Sequence, residues 1–565
     1  MNSIAESPRK LALRQSANGL ALVAFCFSLF VIVEMYVTWG ELLESRPVDH
    51  PMLIALRADL GREPGADMIK EAIRLEELKL RALYLTAFDR LQEGAWLLLI
   101  GIAACAAGVK LSIATWPRIP ALATRELAYD PDHAPSILGR ASLAGLCVLL
   151  VGAAFTLPLL GERNTALESA SGVWARFRGA GGRGISEHPV APLEIDARSG
   201  EERNLRWKSV VPLPGLSSPV VWNERVFLTG ASPNNREVYC FDALSGALLW
   251  REPVSAGPES SIIPENIWSE TGYAAPTPVT DGKHVWALFA NGDVVCLDVF
   301  GQEKWCLNLG TPDNMYGLAA SPLLMENKLI LQLDQEWGED EAMSALIALD
   351  LLDGSELWRT PREVGSSWPS PIPIETPRGA LILTCANPFV IAYEPEGGEE
   401  VWRVDRLAGD GGPSPSATQG LVFAVNIGSP LTAIRSDGEG DVTDTHIAWE
   451  YDDRLPDVCS LLTTEELLWM LSTDGLATCL EASTGAPVWE RDFEADFYSS
   501  PILAAGRLYL IGRKGEIFVL AAGREARELW RGEFGEECDT SPAFAGGRLY
   551  VRGRRQLFCF EEEGS

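Results

Sequence analysis

"CFDALSGALLW" (residues 240–250) reads as a short apolar strand, an acidic residue, a glycine turn and a second strand ending on tryptophan. "CLDVFGQEKW" (296–305), "ALDLLDGSELW" (348–358), "AYEPEGGEEVW" (392–402) and "CLEASTGAPVW" (479–489) repeat that order. Two short strands joined through a glycine-bearing turn are a β-hairpin signature. Upstream of most copies stands Ser-Pro, clearest at Ser218-Pro219, Ser321-Pro322, Ser370-Pro371, Ser500-Pro501 and Ser541-Pro542, followed by a strand such as "KLILQL" or "RLYLIG". The large C-terminal part of the chain is therefore built from one repeated unit.

The tryptophans count the units: Trp207, Trp250, Trp305, Trp358, Trp402, Trp449, Trp489 and Trp530, spaced by 43, 55, 53, 44, 47, 40 and 41 residues. A four-stranded propeller blade takes roughly 40–50 residues. The last unit, "TSPAFAGGRLYVRGRRQLFCFEEE", stops before its own tryptophan strand, while "NLRWKSVV" is a tryptophan strand with nothing before it. These fragments complete one another. We expect an all-β eight-bladed propeller over residues 204–565, with 204–211 as outer strand of the last blade, because such closure removes open sheet edges.

The "A-[LY]-[DE]-x-x-[TS]-G-x-x-x-W" pattern resembles the repeats of pyrroloquinoline-quinone-like β-propellers. That superfamily includes quinoprotein alcohol dehydrogenases and the lipoprotein that assists outer-membrane protein assembly. "WARFRGAGGRGIS" (174–186), carrying Trp174, Phe177, Arg178 and Gly179, looks like the "W-x-x-F-R-G-x-x-G-x-G" lead-in of bacterial members. The resemblance covers about residues 172–565 and implies the fold; activity does not follow from it. Gly179, Gly181 and Gly184 also spell a dinucleotide fingerprint, but that motif needs a strand before it and a helix after it. Neither is expected here. The segment reads instead as a Trp-Phe-Arg anchor with a flexible glycine tail, Trp174 and Phe177 docking on the propeller and setting its pose.

Ahead of the repeats, Gly19–Trp39, Ala95–Trp116 and Ala141–Leu160 are almost wholly apolar, each near the twenty residues a bilayer requires. Arg9, Lys10 and Arg14 precede the first run, and Arg118, Arg125 and Arg140 lie between the second and third. The positive-inside bias makes both segments cytoplasmic. The expected order is a cytoplasmic tail (1–18), a first span (19–39), an extracytoplasmic amphipathic helical segment (40–93), a second span (94–116), a cytoplasmic loop (117–140), a third span (141–160) and a linker holding the lead-in (161–203). The chain is thus expected to be multi-pass in a bacterial cytoplasmic (inner) membrane, with its propeller on the periplasmic side.

The 565 residues carry a formal net charge of −31. Residues 1–160 are nearly balanced, with 15 Lys and Arg against 16 Asp and Glu; the rest hold 32 and 62. Nucleic acid needs a basic face to neutralise phosphate, so it is excluded as a partner.

Quinoprotein dehydrogenases of this shape, by the same resemblance, hold the quinone between a tryptophan and a disulfide of adjacent cysteines, with Ca²⁺ on acidic and Asn side chains and an Asp base. This chain has no Cys-Cys dipeptide and no C-x-x-C-H haem motif. His50, His133, His188, His284 and His446 are scattered singly, without zinc spacing. Cys240, Cys296, Cys479 and Cys559 share one repeat position, which Ala348, Ala392 and Ala433 fill in other units; it asks for a small side chain. The repeated tryptophans read as packing between blades.

Propellers bind where the loops before the innermost strands gather around the channel. Those loops carry Tyr273, Tyr316, Trp368, Asp410, Asp457, Tyr498 and Asp539. Aromatics among acids suit recognition of envelope proteins or peptides. "DQEWGEDEAMS" and "RSDGEGDVTDTH" are acidic insertions without EF-hand spacing. The expected function is a membrane-anchored, non-catalytic interaction module with no cofactor. A membrane-bound quinoprotein dehydrogenase using pyrroloquinoline quinone and Ca²⁺ is the alternative. Lipid contact is confined to the three spans.

Overall fold

In this computed structural model the described residues are 172–565 apart from 258–259, 261–266, 269, 337–342, 419 and 563–565, with seven single positions nearer the N-terminus. Apart from those single positions, the three expected spans, the segments around them and linker residues 161–171 lie outside the described residues. Among the described residues no helix is long and apolar enough to cross a membrane. The chain divides into two compact units, Met1–Gly139 and Arg140–Ser565; the repeats lie in the second.

The repeats form eight antiparallel sheets of four core strands each. Blade 1 spans 220–253, blade 2 279–308, blade 3 323–362, blade 4 372–405, blade 5 416–451, blade 6 462–492 and blade 7 502–533. Blade 8 takes its inner three strands from 543–561 and its outer strand from Leu205–Val210, at the start of the repeats. The ring thus closes on its own first strand.

Burial explains the composition of each strand. Lys328–Leu333 is buried throughout and Ser344–Asp350 nearly so, because a middle strand is covered on both faces by neighbouring blades. The outer strand Leu248–Pro253 is exposed at Leu248 and Leu249 and then alternates between half-buried and exposed positions. Within every blade the tryptophan stands opposite a small or β-branched residue of the third strand. Cys240 faces Trp250, Cys296 Trp305, Ala348 Trp358, Ala392 Trp402, Ala433 Trp449, Cys479 Trp489, Val519 Trp530 and Cys559 Trp207. A register shift follows each pair, the mark of a β-bulge that turns the tryptophan strand.

That turn aims each indole at the next blade. Trp207 Nε1 donates to Ala243 O at 3.1 Å, Trp250 to Val299 O at 3.0 Å, Trp305 to Leu351 O at 3.0 Å, and Trp449 to Ala482 O at 3.0 Å. The hairpin glycine of that neighbour lies flat on the ring: a Cβ on Gly246 would stand 2.5 Å from Trp207, and Gly246 has φ 72°. Only glycine meets both demands. Trp402 differs. The longer turn of blade 5 lays Gly440–Asp441 as a parallel strand against Trp402 and Arg403, and the indole is fully buried.

The innermost strands are tied by a closed circle of hydroxyls. The backbone N–H of Ser218 donates to Thr277 Oγ1, Thr277 to Ser321 Oγ, and so on through Ser370, Ser414, Ser460, Ser500 and Ser541, whose N–H returns to Ser218 Oγ. All eight bonds measure 2.9–3.1 Å. This accounts for Ser-Pro in the repeat. Serine offers the acceptor, and proline fixes φ at the strand entry without a donor to satisfy.

Candidate functional site

Each inner strand leaves the hydroxyl circle and runs to the first turn of its blade. The interblade loops therefore open on one face and the first turns on the other. The lead-in comes from the first-turn face: Asn223 N–H, in the first turn of blade 1, donates to Gly172 O at 2.8 Å, and Gly547, in that of blade 8, lies against His188. Between these points Val173–Ser186 threads the channel.

Val173–Trp174 adds to the inner strand of blade 1, and Ile185–Ser186 to that of blade 7. Thr280 of blade 2 donates to Ala175 O at 3.0 Å, Arg176 Nη2 reaches Leu324 O of blade 3 at 3.4 Å, and Gly182 packs on Ile372 of blade 4. Arg178 Nη2 donates to Leu461 O beside blade 6 at 2.6 Å, and Trp174 meets Phe544 of blade 8 edge-on. Seven blades are touched by one segment. Trp174 is 2% exposed, Phe177 is half-buried, and Arg176, Phe177 and Gly182 line a cavity with Ser321, Ser370 and Ser414 of the hydroxyl circle.

The glycines are not a flexible tail. Gly179, Gly181, Gly182 and Gly184 hold φ between 63° and 73°, and Gly184 N–H donates to Arg178 O at 2.8 Å. A Cβ would strike Trp174 at Gly179, Ile372 at Gly182 and the Arg178 guanidinium at Gly184. They are required because the segment turns inside a packed channel. Burial holds Arg178 down to about 9, well below the ordinary guanidinium range. The ring fold thus begins ahead of residue 204, where the linker was expected to continue.

The opposite mouth carries the expected recognition residues, in two groups. Tyr316 and Trp368 meet edge-to-face with centroids 4.6 Å apart, and Trp268, 53% exposed, packs edge-on to Tyr316 at 5.8 Å. Trp368 Nε1 donates to Asn314 Oδ1 at 2.7 Å, and its backbone N–H to Gly411 O at 3.0 Å, which brings exposed Asp410 alongside. Burial first, then the Asp410 and Glu270 carboxylates and Tyr498, push the Tyr316 hydroxyl above its usual range.

In the second group Arg513 lies 3.6 Å over the Tyr498 ring, its Nε 2.8 Å from Asp539 Oδ1, and Arg554 takes the other oxygen of Asp539. The Asp539 side chain is 2% exposed, so it is an internal counter-ion. Asp457 accepts from Thr473 Oγ1, and Tyr273 packs against the core between blades 1 and 2. Among the described residues no three His, Cys, Asp or Glu side chains are placed to share a metal ion. Trp268, Asn314, Arg513 and Arg554 were not anticipated. Trp268 lies in the long connection that stretches the Trp250–Trp305 spacing, the one trace it leaves in the repeat.

Docked tryptophans, the hydroxyl circle and a threaded channel define a repeat propeller of the quinoprotein-like kind. The family described as outer membrane protein assembly factor BamB matches residues 193–334, 342–471 and 461–531, and the chain belongs to that family. BamB from Moraxella catarrhalis is similar at 14% identity over 63% of this chain and 99% of its own, with a TM-score of 0.47. Quinohemoprotein alcohol dehydrogenase ADHIIG from Pseudomonas putida HK5 is similar at 14% identity over 72% of this chain and 82% of its own, with a TM-score of 0.50. At such identity the likeness concerns fold alone. No curated protein matches the sequence.

Proposed function

We propose that the chain is a membrane-anchored interaction module. Its spans at 19–39, 94–116 and 141–160 hold it in a bacterial cytoplasmic membrane, and its propeller binds envelope proteins or peptides on the periplasmic side without catalysing a reaction. The observation that carries this reading is the division of the channel: one end is filled by Trp174–Gly184, and the other presents Trp268, Tyr316 and Trp368 on fixed loops. Semi-rigid, half-exposed aromatics suit binding because little entropy is lost when they are covered. The family's description, a factor in outer membrane protein assembly, supports partners of the envelope.

The quinoprotein alternative needs convergent acids for Ca²⁺ and a free Asp base. Here Asp539 is neutralised by Arg513 and Arg554 and Asp457 accepts from Thr473 Oγ1, so of these three acids only Asp410 is a free carboxylate, and among the described residues no three His, Cys, Asp or Glu side chains are placed to share a cation. The test pairs two measurements on the full-length chain. Trp368→Ala with Tyr316→Ala abolishes co-purification of an envelope partner, and pyrroloquinoline quinone with Ca²⁺ leaves the melting temperature unmoved. Partners retained by the double variant, or a quinone-dependent rise in melting temperature, overturns the reading.

A further inference from the structure

The two halves of the channel mouth hold the same chemistry at different stages of completion. Across blades 7 and 8, Tyr498 offers a ring face, Asp539 a carboxylate, and Arg513 the cation that satisfies both, 3.6 Å from the ring centroid and 2.8 Å from the acid. At the loops entering blades 2–5, Trp268, Tyr316 and Trp368 offer rings and Asp410 a carboxylate. Among the described residues no Lys or Arg stacks on these three rings, and Asp410 pairs with no cation.

This half is organised ahead of any ligand. Asn314 is buried, and its Oδ1 accepts both the Trp368 indole at 2.7 Å and the Tyr316 backbone N–H at 3.0 Å, while its Nδ2 donates to Asp334 O at 2.9 Å. One side chain thus fixes two rings. Trp268 N–H is bound to Met315 O at 3.0 Å, and the Gly411 carbonyl is held by Trp368 N–H, so all four loops are tied together. Acid beside ring raises the negative potential over the aromatic face; the Tyr316 hydroxyl is pushed up by burial first and by the Asp410 carboxylate second.

We propose that Trp268, Tyr316, Trp368 and Asp410 receive the guanidinium of an arginine side chain presented by a partner protein. Guanidinium is favoured over ammonium because it is planar, weakly hydrated, stacks on rings and still donates to a carboxylate. The net charge of −31 draws a basic segment toward the ring. This inference rests on the channel face being the interaction surface and names the group it recognises.

The probe is the blocked tripeptide acetyl-Gly-Arg-Gly-amide, titrated into the full-length chain by ligand-observed NMR, against the citrulline and norleucine analogues. Citrulline keeps the shape and removes the charge; norleucine reports plain apolar affinity. The arginine peptide binds at least about fivefold tighter than either. Asp410→Asn and Trp368→Ala each remove that margin, whereas Lys208→Ala on the outer strand of blade 8 leaves it. Equal affinity for the three peptides, no arginine binding at about 10 mM, or a margin that survives Asp410→Asn overturns the inference. If the margin is absent while the Trp368→Ala/Tyr316→Ala variant still loses its envelope partner, the guanidinium is wrong and the surface stands.

Discussion

Trp207 and Cys559 stand directly opposite one another on paired antiparallel strands, one from the first strand of the blades and the other from the last. The Trp207 indole then crosses into blade 1, donating to Ala243 O and resting on Gly246. One residue therefore closes blade 8 and docks it on blade 1. Replacing Trp207 by Ala removes a half-buried ring and a hydrogen bond, a loss of about 2–4 kcal/mol. Equilibrium urea unfolding measures it, and Trp207→Phe loses less. A neutral Trp207→Ala would show that the ring does not depend on this clasp.

The hydroxyl circle makes a separate prediction. In Ser460→Ala the buried N–H of Ser414 loses its acceptor, now 3.1 Å away. An orphaned buried donor costs about 1–3 kcal/mol. Ser460→Thr costs less than half as much, since Thr277 already fills one place in the circle. Unfolding midpoints of the two variants decide this.

The lead-in is tested by Gly179→Ala. Its φ of 67° and the Trp174 ring 2.8 Å from a Cβ make the substitution strained and displacing. Hydrogen exchange quickens in Val220–Trp222 and Ile502–Ala504, the inner strands that the lead-in extends. A flexible tail would leave both strands unchanged.

Alkaline pH should weaken the ring. Burial pushes the thiols of Cys240, Cys296, Cys479 and Cys559 up from the ordinary thiol range to about 12. Above about pH 9 the unfolded chain gives up these protons and the native one keeps them, so the native state binds more protons and stability falls as pH rises. The stabilising contribution is complete below pH 9 and is lost on the way to about 12. Unfolding midpoints between pH 8 and 10.5 follow it, and Cys479→Ala flattens the decline. Iodoacetamide at pH 8 labels these cysteines only after unfolding, because thiolate is the nucleophile.

What could be read in advance was what repeats. The Trp spacing, the Ser-Pro entries and the two incomplete end fragments each belong to one periodic unit, and together they require eight blades and the Trp207 closure. The position shared by Cys240 and Ala348 asked for a small residue; the structure adds the reason, a tryptophan across the strand pair. What could not be read lies between units. Arg513 and Arg554 occupy one repeat position and Tyr498 and Asp539 another, each pair 41 residues apart, but that both arginines converge on Asp539 is set by how blades 7 and 8 sit side by side. Trp268 sits in a connection with no counterpart in other blades. The lead-in has glycines at dinucleotide spacing, yet their cause is the width of a channel that exists only once the ring has closed.

Site-specific photo-cross-linking tests the central claim most directly. A photoreactive amino acid replaces Tyr316 or Met315 at the channel mouth, or Lys208 on the outer strand of blade 8, in native membranes. Mass spectrometry then identifies what is captured. The account predicts one envelope protein captured from positions 315 and 316 and not from 208. Capture from 208 alone, or none from the mouth, would contradict it.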